Sequence, residues 1–315
     1  MAKPIRCDLA LFDRDLSGKT YIVTGANSGI GFVTTEQLVK QGAHVVMACR
    51  RVDVAQEKAN EIMSAGVAGT TEVMVMDLGD LSSIRRFAGE FLDRYARLDG
   101  LINNAGVMNT KEGQTKDGFE TQFGINHLGH FLLTSLLLGV LKSSAPSRIV
   151  VLSSCYHDKA VGRVGDIHFD DLHSKIRPYD GWEAYAQSKL ANILHARELA
   201  RRLEGSGVTA VSVHPGWVRT DLIRHSMPVW IQDTLMRPFL TLAGMISPWD
   251  GAQTSLNCIL NEDIPNHPGA FFSQRGMYRK RSCNKGGWPL ISPNPNVNDD
   301  NAKRLWIVSA EEVGL

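Results

Sequence analysis

The chain has 315 residues, 43% of them hydrophobic and 21% charged, and its 34 Lys and Arg nearly cancel 33 Asp and Glu. That is an ordinary globular composition, long enough to bury a full core, and its charge balance argues against a nucleic-acid or anionic-surface partner. Cys7, Cys49, Cys155, Cys258 and Cys283 are scattered without metal-site spacing and read as reduced thiols of an intracellular protein. The first 16 residues carry charges and lack the apolar core of a signal peptide. The longest apolar stretch, 130–141, falls short of the ~20 residues that cross a bilayer. A soluble, cytoplasmic protein with no transmembrane segment is expected.

Short apolar runs alternate with amphipathic segments of helical period, the pattern of a parallel sheet built from βα units. Thr20–Thr24 is the first strand, and a glycine-rich turn leads from it into a helix over 30–41. A second strand at 44–48 precedes a helix over 54–64, and a third at 72–76 ends at Asp77 before a helix over 81–95. A fourth strand, 98–102, ends at Asn103-Asn104-Ala105-Gly106 and is followed by a long helix over 119–142. The fifth, 148–152, ends at Ser153-Ser154, and a helix over 182–203 follows. A sixth strand at 208–213 ends at His214-Pro215-Gly216, and a last one near 270–273 closes an edge. No repeat, low-complexity tract or linker interrupts the series. The expectation is one α/β domain over 1–315, a doubly wound parallel sheet (Rossmann fold) of about seven strands with helices on both faces. Residues 18–150 form mainly its cofactor-binding half, and 151–315 its catalytic and substrate-binding half.

Gly25, Asp77, Asn103, Ser154 and Pro215 all follow the carboxyl ends of expected strands, the ligand-binding edge of such a sheet. In Gly25-Ala26-Asn27-Ser28-Gly29-Ile30-Gly31 the three glycines let the backbone turn tightly and approach a pyrophosphate at the positive end of a helix. The second strand runs into Cys49-Arg50-Arg51 with no acid before Asp53, where an acidic side chain would hold the ribose 2′-hydroxyl of NAD. Two guanidiniums there suit a 2′-phosphate, so NADP(H) is expected over NAD(H). Tyr185 and Lys189, four apart on a helix, share a face. The lysine cation is expected to bring a phenol pKa of roughly 10 toward the working range. Taken singly, these features also fit an ordinary turn, solvated arginines and a solvated helix face, but such residues would scatter rather than gather at one edge.

The motifs Thr24-Gly25-x-x-x-Gly29-x-Gly31, Asp77, Asn103-Asn104-Ala105-Gly106, Asn126, Ser154, Tyr185-x-x-x-Lys189 and Pro215-Gly216 occur in order over nearly the whole chain. Together they resemble the short-chain dehydrogenase/reductase family. The resemblance implies that Tyr185 exchanges a proton with a carbonyl or alcohol oxygen and that Ser154 hydrogen-bonds that oxygen. It gives Lys189 the task of lowering the tyrosine pKa and holding the nicotinamide ribose, and Asn126 that of anchoring a water in a proton relay. Asp77, with Leu78, would contact the adenine. Asn103, Ala105 and Gly106 would pack beside the cofactor, and Pro215, Gly216, Val218 and Thr220 would flank the nicotinamide carboxamide and diphosphate. Ser153 competes for the serine role, but alternation puts the pair on opposite faces and the family pattern favours Ser154.

Ser154 and Tyr185 are 31 positions apart, more than in many family members. Asn126-His127-Leu128-Gly129-His130-Phe131-Leu132-Leu133, Asp170-Asp171-Leu172, Ser188-Lys189-Leu190-Ala191-Asn192 and the tail from Arg304 to Leu315 resemble retinol dehydrogenases and their WW-domain oxidoreductase relatives. The implied substrate is a small lipophilic aldehyde or ketone, retinal-like, or its alcohol. Residues 227–248 are unusually apolar and lie where the family has its substrate lid; a membrane-surface segment and a core helix are the alternatives, with Asp233 and Arg237 against deep membrane burial. No metal is expected, because His127/His130 and His168/His173 lack a third ligand. Cys155 reads as a small packed side chain. Two other functions share parts of the pattern: a light-dependent protochlorophyllide-type reductase and a cofactor-binding regulatory protein without turnover. The serine region and C-terminal half differ from the first, and the intact Asn126, Ser154, Tyr185 and Lys189 set argues against the second. The helices over 119–142 and 182–203 are where relatives often pair, which allows a homodimer.

Overall fold

Runs such as Tyr21-Ile22-Val23 and Ile149-Val150-Val151 are apolar at every position, and a strand of that kind needs cover on both faces. The computed structural model, which describes residues 3–160, 163–219, 244–275 and 285–315, supplies it. Its strands in chain order are β1 (Thr20–Thr24), β2 (His44–Cys49), β3 (Thr70–Val75), β4 (Gly100–Asn103), β5 (Ser147–Leu152), β6 (Lys159–Ala160), β7 (Arg163–Val164), β8 (Val208–His214), β9 (Phe271–Ser273) and β10 (Gly287–Leu290). Eight of them form one sheet in the order β3-β2-β1-β4-β5-β8-β9-β10, while β6 and β7 pair as a small hairpin. All neighbours in the large sheet are parallel except β9 and β10. The chain winds outward from β1 through β3 and returns to β4, so the β1/β4 boundary is the switch point where such sheets open a crevice.

The helices are α1 (Gly29–Lys40), α2 (Val52–Ser64), α3 (Leu81–Arg94), α4 (Thr121–Phe123), α5 (Gly129–Ser143), α6 (Gly181–Arg202), α7 (Pro248–Leu260) and α8 (Asp299–Val313). Alternation along the strands sorts the core into two layers. Ile22, Leu101, Ile149 and Val151 pack with α3, α5, α6 and α8, whereas Val23, Ile102, Val150 and Val211 pack with α1, α2 and α7.

The sheet differs from the expectation of about seven parallel strands. Residues 270–273 do not close the edge, because β10 adds outside β9 in antiparallel sense. Its sequence, Gly287-Trp288-Pro289-Leu290, is a poor strand signal, since proline cannot donate to a ladder and is confined to edges; an edge is where Pro289 sits.

The expected long helix over 119–142 is three pieces. Between α4 and α5 lies one π-helical turn, Gly124–Leu128, closed by the Gly129 N–H donating to the Gly124 carbonyl. That wider turn holds Asn126. Taken as one, Thr121–Ser143 is the single helix among the described residues long and apolar enough to cross a membrane, and it is mostly buried within the protein. In α6 every residue from Ala184 to Ala196 is buried. One side of α6 is covered by α8, where the Arg202 guanidinium lies 4.3 Å from the Trp306 ring centre and Ser309 meets His127 Nε2 at 2.8 Å. The segment between Ser154 and α6 docks on the Gln187 side chain, which accepts from His168 N–H at 2.9 Å and donates to the Leu172 carbonyl at 2.9 Å.

Candidate active site

One cleft opens at the carboxyl edge of the sheet over the β1/β4 boundary. Gly25, Asn27, Ser28, Gly29 and Ile30 line it from the β1–α1 turn, Arg50 and Arg51 from the end of β2, and Asp77 and Leu78 from the end of β3. Ala105 and Gly106 contribute from the turn after β4, Pro215 from the end of β8, and Tyr185 and Lys189 from α6.

The glycine turn is tight for a steric reason. Gly25 sits at φ +65°, and a Cβ on Gly31 would come within 2.4 Å of the Gly25 carbonyl oxygen and 2.6 Å of Asn104 Nδ2. Helix α1 can therefore start this close to β1 only with glycine there. The Thr24 hydroxyl accepts the backbone N–H groups of Asn104 and Ala105, each at 2.9 Å, and Asn104 Nδ2 donates to the Thr24 carbonyl at 2.8 Å. The two turns thus form one floor. Ser28 caps α1 without a side-chain bond to its amides, and the first turn carries no acid, an arrangement suited to an anionic diphosphate.

At the end of β2, Arg50 Nη1 is 4.0 Å from Asp77 Oδ2, and both side chains are well exposed, so the pair is weakly held. Asp77 also accepts the Gly79 N–H at 2.9 Å. Cys49 beside them is a buried thiol whose pKa burial pushes up to about 11, out of the thiolate range.

The Tyr185 side of the cleft is built where α6 crosses the end of β5. Tyr185, Ser154, Lys189 and Asn126 are all buried. Ser154 stands beside the Tyr185 phenol and its hydroxyl accepts the Tyr156 N–H at 3.3 Å, while Lys189 Nζ lies 5.6 Å from the Tyr185 ring centre and donates to the Leu152 carbonyl at 3.1 Å. Ser153 also lines the cleft, but its hydroxyl is engaged, donating to the Lys189 backbone carbonyl at 2.6 Å. Asn126 lies behind the cleft: Oδ1 accepts the Val107 N–H at 2.8 Å, and Nδ2 donates to the Val107 carbonyl and Ser188 Oγ at 2.9 Å each.

Electrostatics here depart from the expectation that Lys189 pulls the phenol toward neutrality. Burial pushes the Tyr185 phenol well up, against the smaller downward effect of the Ser154 bond, and burial also draws Lys189 down to about 8. At the phenol, desolvation is the largest effect. In the free protein burial therefore favours the protonated phenol.

A family model for short chain dehydrogenases matches residues 19–165. Retinol dehydrogenase 12 of Bos taurus is 46% identical over 303 residues, spanning 96% of this chain and 89% of that protein. Retinol dehydrogenase 14 of Homo sapiens is 43% identical over 318 residues, spanning 95% and 88%. A crystal structure of an uncharacterized protein from Mycobacterium paratuberculosis superposes with a TM-score of 0.75 at 34% identity, covering 98% of both chains. The chain belongs to the short-chain dehydrogenase family. Within it the chain is retinol dehydrogenase-like, an oxidoreductase acting on CH–OH groups, on a fold that binds an NAD(P) nucleotide.

Several residues expected at the site of this short-chain dehydrogenase stand elsewhere. Asn103 is buried under the floor, its Nδ2 donating to Thr134 Oγ1 at 2.9 Å, and its neighbour Asn104 lines the cleft instead. Strand alternation puts the two amides on opposite faces, but which of them faces the cleft depends on where β4 ends. Gly31, Asn126, Gly216 and Val218 do not line the cleft either, and Ser154 reaches it only through its place beside the Tyr185 phenol. Gly31 supports the turn from below. Gly216 packs against Ile246 and Gln274, and Val218, buried, pairs with Ile246. Thr220 and residues 227–243 of the expected lid lie outside the described residues, as does Cys283. Cleft residues the sequence did not single out are Met76, Val107, Ile125 and Leu152, which only the packing of β3, the π-turn and β5 brings there. Among the described residues no three His, Cys, Asp or Glu side chains cluster to hold a metal.

Proposed function

We propose that this short-chain dehydrogenase interconverts a lipophilic aldehyde or ketone, retinal-like, with its alcohol, using NADP(H) in preference to NAD(H) and Tyr185 as proton donor and acceptor. The observation that carries the reading is the buried Tyr185 phenol at the wall of the cleft, with Ser154 beside it and Lys189 flanking its ring at 5.6 Å. The cleft fits a dinucleotide: its floor approaches closely only because glycine stands at 31, and Arg50 and Arg51 line it where a 2′-phosphate would need cations. When bound, the nucleotide supplies hydride chemistry at the carbonyl carbon.

The chain's own residues do the rest. Tyr185 gives its proton to the carbonyl oxygen as negative charge develops there, and the Ser154 hydroxyl donates a second hydrogen bond to the same oxygen. Lys189, charged below about 8, favours the phenolate that remains once the proton has left. Asn126 fixes Val107 against Ser188, one residue before Lys189, and so holds α6 in register with the cleft. The names of the relatives at 43–46% identity support a small lipophilic substrate. A cytoplasmic location is also proposed; subcellular fractionation of the tagged full chain checks it, and recovery in the membrane pellet speaks against it.

The test of function is NADPH oxidation with retinal, medium-chain aldehydes and steroid ketones, NADH in parallel and Tyr185→Phe beside the wild type. Turnover of a lipophilic carbonyl, weak with NADH and lost in Tyr185→Phe, is expected. NADPH binding without turnover on any of them would favour a cofactor-binding regulator.

A further inference from the structure

Beneath the cleft lies a buried histidine that the chemistry above leaves unused. His130, the second residue of α5, is 1% exposed, and its two ring nitrogens meet two different parts of the site. Nε2 is 2.9 Å from Thr24 Oγ1, and Nδ1 is 3.0 Å from the Asn126 backbone carbonyl oxygen. Counting hydrogens fixes both directions. A carbonyl only accepts, so Nδ1 carries the proton. The Thr24 hydroxyl already accepts two N–H groups, from Asn104 and Ala105, which uses both its lone pairs. Its own hydrogen is left to donate, and Nε2 at 2.9 Å is a far better acceptor than the Ile102 carbonyl at 3.5 Å. Burial, with the charge of Lys189 adding to it, keeps the ring neutral down to about 4, so the arrangement persists at physiological pH.

We infer that His130, as the Nδ1–H tautomer, is a positioning residue that ties the nucleotide-binding floor at Thr24 to the proton-handling side at Asn126. Thr24 holds the turn that carries Asn104 and Ala105 into the cleft, and Asn126 holds Val107 and Ser188 behind Tyr185 and Lys189. Only a side chain with an acceptor on one edge and a donor on the other, at imidazole spacing, joins the two. The kinetic consequence rests on the reading under Proposed function; the tautomer and the effect on nucleotide affinity do not.

The two bonds separate experimentally. His130→Asn retains a donor near the Nδ1 position and cannot reach Thr24, His130→Gln retains an acceptor near the Nε2 position and has no donor for Asn126, and His130→Leu loses both. NADPH affinity is read by fluorescence titration, kcat with the best aldehyde, and the ring tautomer by nitrogen NMR of the full chain labelled at histidine, with the variants assigning the signal. His130→Asn is expected to lose about tenfold in NADPH affinity and less in kcat, His130→Gln about tenfold in kcat and less in affinity, and His130→Leu both. The wild-type ring is expected to show a protonated Nδ1 and a bare Nε2 from pH 5 to 8. An Nε2–H or charged ring in that range overturns the inference, as does an equal loss of affinity and kcat in all three variants, or no loss in any. Should no aldehyde turn over, the proposed function fails, while the titration and the NMR still decide the role of His130.

Discussion

Burial pushes the Tyr185 phenol well above its usual range in the free protein, which favours the protonated hydroxyl. Removing the hydroxyl with Tyr185→Phe is expected to lower kcat/KM for carbonyl reduction by about 10²- to 10⁴-fold while NADPH affinity stays within about threefold. Lys189 sets the alkaline limit: its charge is lost as pH rises through about 8, so kcat/KM for reduction is expected to fall above that pH. A profile flat to pH 10 would show that the amine need not be charged. At the end of β2, converting both guanidiniums (Arg50→Ala with Arg51→Ala) is expected to weaken NADPH by about tenfold or more and leave NADH within about twofold, read as the ratio of the two KM values. That Tyr185 and Lys189 meet at the cleft was legible because residues four apart on a helix share a face. Asn103 versus Asn104 was not, since which amide faces the cleft depends on where β4 ends.

Elements locate the site by close approach. The first turn of α1 reaches β1 only because nothing projects from Gly31, and Gly31→Ala is expected to cost about 1–3 kcal/mol and to weaken NADPH binding with it, measured by urea unfolding and titration. The strands and most helices of the first half were legible to within two or three residues, for their periodicity is local. The π-turn at Gly124–Leu128 was not, because it inserts one residue without disturbing the apolar pattern of the helix around it. Nor was the organisation of the segment after Ser154. It is fixed by distant partners: Asn294 and Asn296 donate to the Gly165 carbonyl at 2.9 and 3.0 Å, His157 Nε2 meets Ser292 Oγ at 2.7 Å, and the Arg304 guanidinium lies 4.1 Å from the Phe169 ring centre.

At the scale of the whole molecule, buried histidines tie stability to pH. His127, His130, His157 and His214 are held by burial down to about 3, 4, 4 and 3 in the folded state, against about 6.5 unfolded. Between those values the unfolded chain binds more protons, so this contribution is complete above about pH 6.5 and is lost as pH falls toward 4. The slope is on the order of 1.4 kcal/mol per pH unit for each histidine. Urea midpoints at pH 7, 6 and 5 are expected to decline steadily; a constant midpoint would mean that these rings are not buried neutral. Assembly follows from α8. It packs along α6, one of the two helices through which pairing was anticipated, so light scattering of the full chain is expected to give the 34.7 kDa of a single copy, and a dimer mass would require a face that α8 leaves open or displacement of α8.

The amino-acid sequence by itself determined the βα alternation, the glycine turn, the pair of arginines after β2 and the Tyr185/Lys189 spacing, since each depends on residues within a turn or two of one another. Only the tertiary structure decided that β10 lies antiparallel at the edge, that α8 covers α6 and that His130 joins Thr24 to Asn126. It also decided that Tyr185 is buried deeply enough for desolvation to dominate at its phenol. Each of these depends on groups far apart in the chain and on how much water their packing removes, and neither quantity is a local property of the sequence.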